Sequence, residues 1–179
     1  MLHDAQQDML QDLPDAGSTA TFSDCGLYRY TLTRIWNPDG PIWVFLMLNP
    51  STADQFVNDP TIARCQARAY RAGAGGIIVV NLFALRSTDP RALYSAADPI
   101  GPGNDAAITE ACLKAERVIC AWGKHGSFRD RQREVRELLE RIGVQPYVLV
   151  LNQDGSPKHP LYVSNTTTPV PWGRLTGVN

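Results

Sequence analysis

Four apolar runs in this chain each stop at a group that can do chemistry. Residues 42–48 run into Asn49-Pro50-Ser51, residues 77–80 into Asn81, and residues 118–121 into Trp122-Gly123. Residues 147–151 run into Asn152, with His159-Pro160 a little beyond. An asparagine side chain carries one carbonyl acceptor and an amide donor pair, the set that matches the edge of a planar heterocycle. A neutral histidine can give one hydrogen bond to an oxygen that gains negative charge. Taken singly, each asparagine is better explained as a cap or turn at the end of its strand. Their recurrence at the same kind of position points instead to a pocket for a nucleobase.

Other chemistries lack their motifs. There is no Gly-x-x-x-x-Gly-Lys-Ser/Thr loop, no Gly-x-Gly-x-x-Gly after the first buried run and no Gly-x-Ser-x-Gly elbow. Gly73-Ala74-Gly75-Gly76 precedes a strand, so it reads as a helix stop. The cysteines at 25, 65, 112 and 120 have no Cys-x-x-Cys spacing and read as small core residues. Asp54, Asp59 and His159 are the best set for a metal, but Asp59 before Pro60 reads better as a helix N-cap, so no metal or other cofactor is expected. Arg86 is placed for a phosphate or, more simply, for an ion pair with Asp89. His125 could line the pocket or simply be exposed, and exposure is the favoured expectation. The arginines at 129–141 interleave with acids at helical spacing, which describes a solvated, salt-bridged face.

The elements that must position these groups follow from the pattern. Continuous apolar runs are strands buried on both faces, and helical segments between them imply parallel crossovers. Asp59-Pro60 starts a helix to about Arg71, Asp89-Pro90 a short one to about Ser95, and Asn104 or Asp105 one through Ala115. Ser127-x-x-Asp130 resembles a capping box for a helix over residues 128–142. Residues 27–36 alternate, with Arg29, Thr31 and Thr33 on the polar side, and Asn37-Pro38-Asp39-Gly40 turns into the first buried strand as a β-hairpin would. The expected fold is a three-layer α/β sandwich with a central, mainly parallel four-stranded sheet and an N-terminal antiparallel hairpin strand. Ligands of such sheets bind beyond the carboxyl ends of the strands. The tail from Thr166 reads as irregular.

Composition fits an ordinary globular domain, 44% hydrophobic and 20% charged over 179 residues. No apolar run approaches the roughly 18 residues of a membrane span, and the acidic start does not resemble a signal peptide, so a cytoplasmic protein is expected. Residues 1–24 hold five aspartates and no Lys or Arg, leaving 17 basic and 13 acidic residues beyond, a balance of +4. That balance permits contact with nucleic acid without requiring it. Residues 1–24 are read as a flexible acidic leader and 25–179 as a single α/β domain.

The order of motifs resembles the uracil-DNA glycosylase superfamily, whose members end the first core strand in a motif like G-Q-D-P-Y-H, a later strand in Asn, the next in L-L-W-G and lead from the last into H-P-S-P-L-S. Here they stand as Met47-Leu48-Asn49-Pro50-Ser51, Val80-Asn81, Ala121-Trp122-Gly123 and His159-Pro160-Leu161-Tyr162-Val163-Ser164. More closely, LNPSTAD at 48–54, NDPTI at 58–62, NLFALR at 81–86 and the HPLY segment resemble a bacterial family known as domain of unknown function 1643.

The superfamily resemblance implies roles. Asn49 would orient water beneath a sugar, though an amide cannot act as a general base. Asn81 would read the edge of a flipped pyrimidine, and His159 would hydrogen-bond the leaving base. Val163 would be the wedge and Ser164 a phosphate contact. Pro50 and Trp122 would complete the pocket; Phe56 is the nearest aromatic able to stack on a base, though its spacing is not the family's. Ser51, in place of a bulky Tyr, would admit larger substituents at C5. The expectation is an N-glycosidic hydrolase releasing a pyrimidine-like base from DNA or a nucleotide. A base-binding module without chemistry is the alternative, and a partner-binding structural protein is a third class.

Overall fold

Residues 43–48 send their side chains alternately into two cores. Trp43, Phe45 and Met47 join one, and Val44, Leu46 and Leu48 the other. Strand β3 (Ile42–Met47) is therefore covered on both sides, which is why its sequence is a continuous apolar run. The computed structural model describes Leu10 and residues 12–173. β3 lies parallel between β4 (Gly76–Asn81) and β5 (Arg117–Cys120), and β5 pairs parallel with β6 (Pro146–Val148).

Helix α1 (Pro60–Arg71) supplies Ile62, Cys65 and Ala69 to one core, while α3 (Asn104–Lys114) and α4 (Arg131–Arg141) supply Ile108, Cys112, Val135 and Leu139 to the other. A short helix, α2 (Ala92–Ser95), lies in the connection before α3. The result is a mixed α/β fold with helices on both faces of one sheet. Among the described residues no helix is long and apolar enough to cross a membrane.

The sheet has seven strands among the described residues, not four. Its order is β1-β2-β4-β3-β5-β6-β7, with β1 (Gly17–Phe22), β2 (Arg29–Ile35) and β7 (Val170–Pro171) antiparallel to their neighbours. The added strands are hard to read because they are edges. β1 is GSTATF, with one side wetted, and β7 is two residues of the tail expected to be irregular. Part of the expected leader is thus sheet, whereas residues 1–9 and 11 lie outside the described residues.

Residues 27–41 do not form a hairpin with β3 either. β4 slots between β2 and β3, and the turn at 37–40 passes over its start, where Gly75 accepts from the amides of Trp36 and Asn37. A Cβ on Gly75 would lie 2.2 Å from Asn37 O, so the crossing requires glycine.

Three local expectations change. The capping box at Ser127 does not form: Phe128 is drawn against Phe83 and Tyr94, and Arg129 and Asp130 take left-handed backbone (φ 52° and 57°) before α4 begins at Arg131. The last strand stops at Val148, leaving Val150 and Leu151 exposed in a loop closed by the Leu151–Pro157 bridge. Helix α3 has Gly103 at its N-cap, and Asn104 instead sends its amide to the carbonyls of Asn81 and Leu82.

Candidate functional site

β3 and β5 are neighbours whose following helices leave on opposite faces of the sheet, and the crevice of such a sheet opens at that point. A cavity of about 550 Å³ occupies it, within the range of small-molecule sites. Asn49 and Ser51 reach it from the loop after β3, and Ser87 and Thr88 from the loop after β4. Trp122 and Lys124 come from beyond β5; Asn152, Lys158, His159 and Tyr162 come from beyond β6. The N-terminus of α1 contributes Asp59 and Thr61. Arg29 opens β2, which runs against β4, so it arrives at the same end of the sheet.

Asn49 is half-buried and its orientation is fixed. Its Nδ2 donates to Ser87 O at 2.9 Å, Pro50 O at 3.2 Å and Leu85 O at 3.4 Å. The amide nitrogen is spent on backbone, which leaves Oδ1 as the acceptor. His159 stands before a 3₁₀ turn (Pro160–Tyr162), and its Nδ1 accepts from Leu161 N at 3.3 Å. A ring nitrogen that accepts carries no proton, so the neutral ring is the Nε2–H tautomer. Burial pushes the His159 pKa below its usual 6.5, against the weaker opposing pull of Asp59.

Trp122 is 1% exposed, its indole N–H donates to Gln132 Oε1 at 3.1 Å, and Trp172 packs on it. Gly126 lets the chain press against that indole, since a Cβ there would lie 2.2 Å from Trp122 Cδ1.

Among the described residues Asp59 is the one carboxylate on the wall. It serves as the expected N-cap, accepting from Ile62 N at 2.9 Å, and its charge acts on both His159 and Arg29. Arg29 is 1% exposed, and Nη1 donates to Ala53 O at 2.7 Å. Burial lowers its pKa to about 10, which keeps it charged at neutral pH. His125 also lines the cavity, and its Nδ1 shares a 2.8 Å hydrogen bond with Tyr94 OH.

The sequence-predicted residues divide. Asn49, Ser51, Trp122 and His159 meet on the cavity wall. Asn81 is 1% exposed and not on the wall, and both polar atoms of its amide lack partners among the described residues. It is the register partner of Met47, which does line the cavity, so the two side chains share a face of the sheet.

Pro50 is buried and accepts from Ser87 N. Phe56 is 84% exposed on the 52–58 loop, away from the cavity wall. Arg86 is exposed too; it lies over Phe22 and donates to Gly26 O, while Asp89 pairs with Arg91. Val163 is buried, with its carbonyl held by Arg64 and Arg68, and Ser164 bonds Thr166 through its hydroxyl.

Sequence reasoning missed Arg29, Lys124 and Lys158 on the wall. Lys124 and Lys158 flank Trp122 and His159 in the chain, a signal that was there to use; Arg29 gave none. Among the described residues no group of His, Cys, Asp and Glu could hold a metal ion.

A family described as "Protein of unknown function (DUF1643)" matches residues 29–161. No curated protein and no solved structure matches the chain.

Proposed function

The chain belongs to the DUF1643 family, and from the chemistry of its cavity we propose that it binds a nucleobase there and hydrolyses the N-glycosidic bond that holds it, in the manner of the uracil-DNA glycosylases its motifs resemble. The observation that carries this reading is His159. Its Nδ1 is engaged by Leu161 N and burial keeps the ring neutral, so Nε2–H is the donor left for a ligand. A neutral donor aimed at a carbonyl that gains charge as the base departs is the electrophilic half of such a reaction.

Asn49 Oδ1 is the complementary acceptor and orients water toward the sugar. Asp59 is the wall group able to take the proton of that water. The water oxygen bonds to the anomeric carbon, the carbon–nitrogen bond breaks, and its electron pair goes to the base, which leaves as an anion held by His159 Nε2–H and then takes up the water's proton, released by Asp59 through solvent, to become the free heterocycle. Asn81 supplies the base-edge contact in this reading. Both its donor and its acceptor are unpartnered among the described residues, and they lie beside Met47, a flexible side chain that can give way. Ser51 leaves room for substituents at C5.

The test is base release, followed by mass spectrometry, from uracil-, mismatch- and 5-substituted oligonucleotides together with nucleosides and nucleotides. Release is expected, and His159→Ala is expected to slow it about 10²–10⁴-fold. Release that His159→Ala leaves untouched sinks the assignment. Asn49, which cannot act as a base, favours a second reading: a binding module that uses the same cavity without cleavage. Thermal stabilisation by a base or nucleoside with no product would select it.

A further inference from the structure

Arg29 is the most deeply buried charge on the cavity wall and the base chemistry does not use it. Its guanidinium is buried, Nε has no acceptor, and it closes no ion pair among the described residues. Ala53 O and the field of Asp59 compensate it only in part, and a buried cation is costly unless an anion meets it. Lys124 and Lys158 line the same cavity and also close no ion pair among the described residues, so three cationic side chains share a wall with one carboxylate. That carboxylate, Asp59, has one oxygen committed to Ile62 N. The N-terminus of the 12-residue helix α1 borders the same space and adds its positive end.

We propose that Arg29, Lys124 and Lys158 form a subsite for a terminal phosphate, so that the ligand is a free nucleoside monophosphate rather than a base within a strand. For the base half alone this rests on the reading above. A monoester can end against a buried guanidinium. An internal phosphodiester cannot, because its chain must leave on both sides and Arg29 is 1% exposed. A planar fork with free N–H groups is also the donor best shaped for phosphate oxygens.

Isothermal titration decides it. The probes are deoxyuridine 5′-monophosphate, deoxyuridine, deoxyribose 5-phosphate, and a short single-stranded oligonucleotide without terminal phosphates. The monophosphate is expected to bind at least about tenfold more tightly than its nucleoside. Lys124→Ala/Lys158→Ala, changes at exposed and half-buried positions, is expected to remove that advantage while nucleoside binding persists. Arg29→Met is expected to remove it as well.

Equal affinity for nucleotide and nucleoside overturns the subsite and leaves the base reading standing. Binding of deoxyribose 5-phosphate without any nucleoside binding supports the subsite and overturns the base reading. An oligonucleotide that binds as tightly as the monophosphate overturns the terminal-phosphate assignment, as does failure of both phosphate probes to bind.

Discussion

Four arginines of this fold are buried, Arg29 at 1%, Arg131 at 2%, Arg68 at 3% and Arg34 at 6% exposure, and the surroundings of the first two differ in kind. Arg131, at the start of α4, donates Nε to Leu82 O at 2.8 Å, Nη1 to Glu134 at 3.2 Å and Nη2 to Asp105. It ties α3, α4 and the end of β4 together, with every nitrogen answered. Arg29, at the cavity, has one carbonyl acceptor and an orphaned Nε. The same side chain is a rivet in one region and an open valence in the other. Satisfied polar networks rigidify a fold, whereas a buried charge left without a counter-charge is costly.

The widest separation between the two regions is expected in stability. Arg131→Met strips several charge-assisted hydrogen bonds and should cost about 2–4 kcal/mol in urea unfolding. Arg29→Met replaces an only partly compensated cation with an apolar chain and should change stability by no more than about 1 kcal/mol in either direction. Equal losses would erase the distinction.

The asparagines give a smaller version of the same comparison. Asn104 Nδ2 bridges the carbonyls of Asn81 and Leu82, and Asn104→Leu should cost about 1–3 kcal/mol by stranding them. Asn81 bonds nothing among the described residues through its side chain, so Asn81→Leu should leave the unfolding midpoint nearly unchanged while it abolishes base-dependent thermal stabilisation. A destabilised Asn81→Leu would instead make its amide a structural element.

The smallest effect is in pH. His159 has its folded pKa depressed below 6.5, so it binds fewer protons than the unfolded chain. Its contribution is present above 6.5 and is lost as pH falls through the lower folded value. Base release should therefore be flat across neutrality, with an acid limb below 6.5. A limb centred at or above that value would mean the ring is not held neutral.

The legible part of the site came from the legible part of the sheet. Asn49 and Trp122 follow strands buried on both faces, whose ends are marked by the first polar or small residue after a long apolar run. His159 follows the one remaining apolar run, and the Asp59-Pro60 start of α1 carried its own N-cap signal. The residues that went unread belong to edges and loops. Val163 and Ser164 lie near the wall in sequence, but the carbonyls of both are claimed by Arg68, which no local pattern announces. Tyr162, one residue earlier, is 74% exposed and lines the cavity instead.

By itself the sequence determined which strands are central, where the first three of them end, and that polar groups gather there, because burial on two faces and the stop of an apolar run are local facts. Only the tertiary structure decided the face of Arg29. Simple alternation puts it with Thr31 and Thr33, away from Leu32. The register of β1 against β2 slips between Thr21 and Phe22, so that Phe22 meets Arg29 and not Tyr30. That one extra residue turns Arg29 to the side of Leu32 and α1, where the cavity opens, and leaves Thr31 on the side of α3. A bulge re-aims a side chain through pairing with another strand. Nothing within residues 27–36 could have specified it.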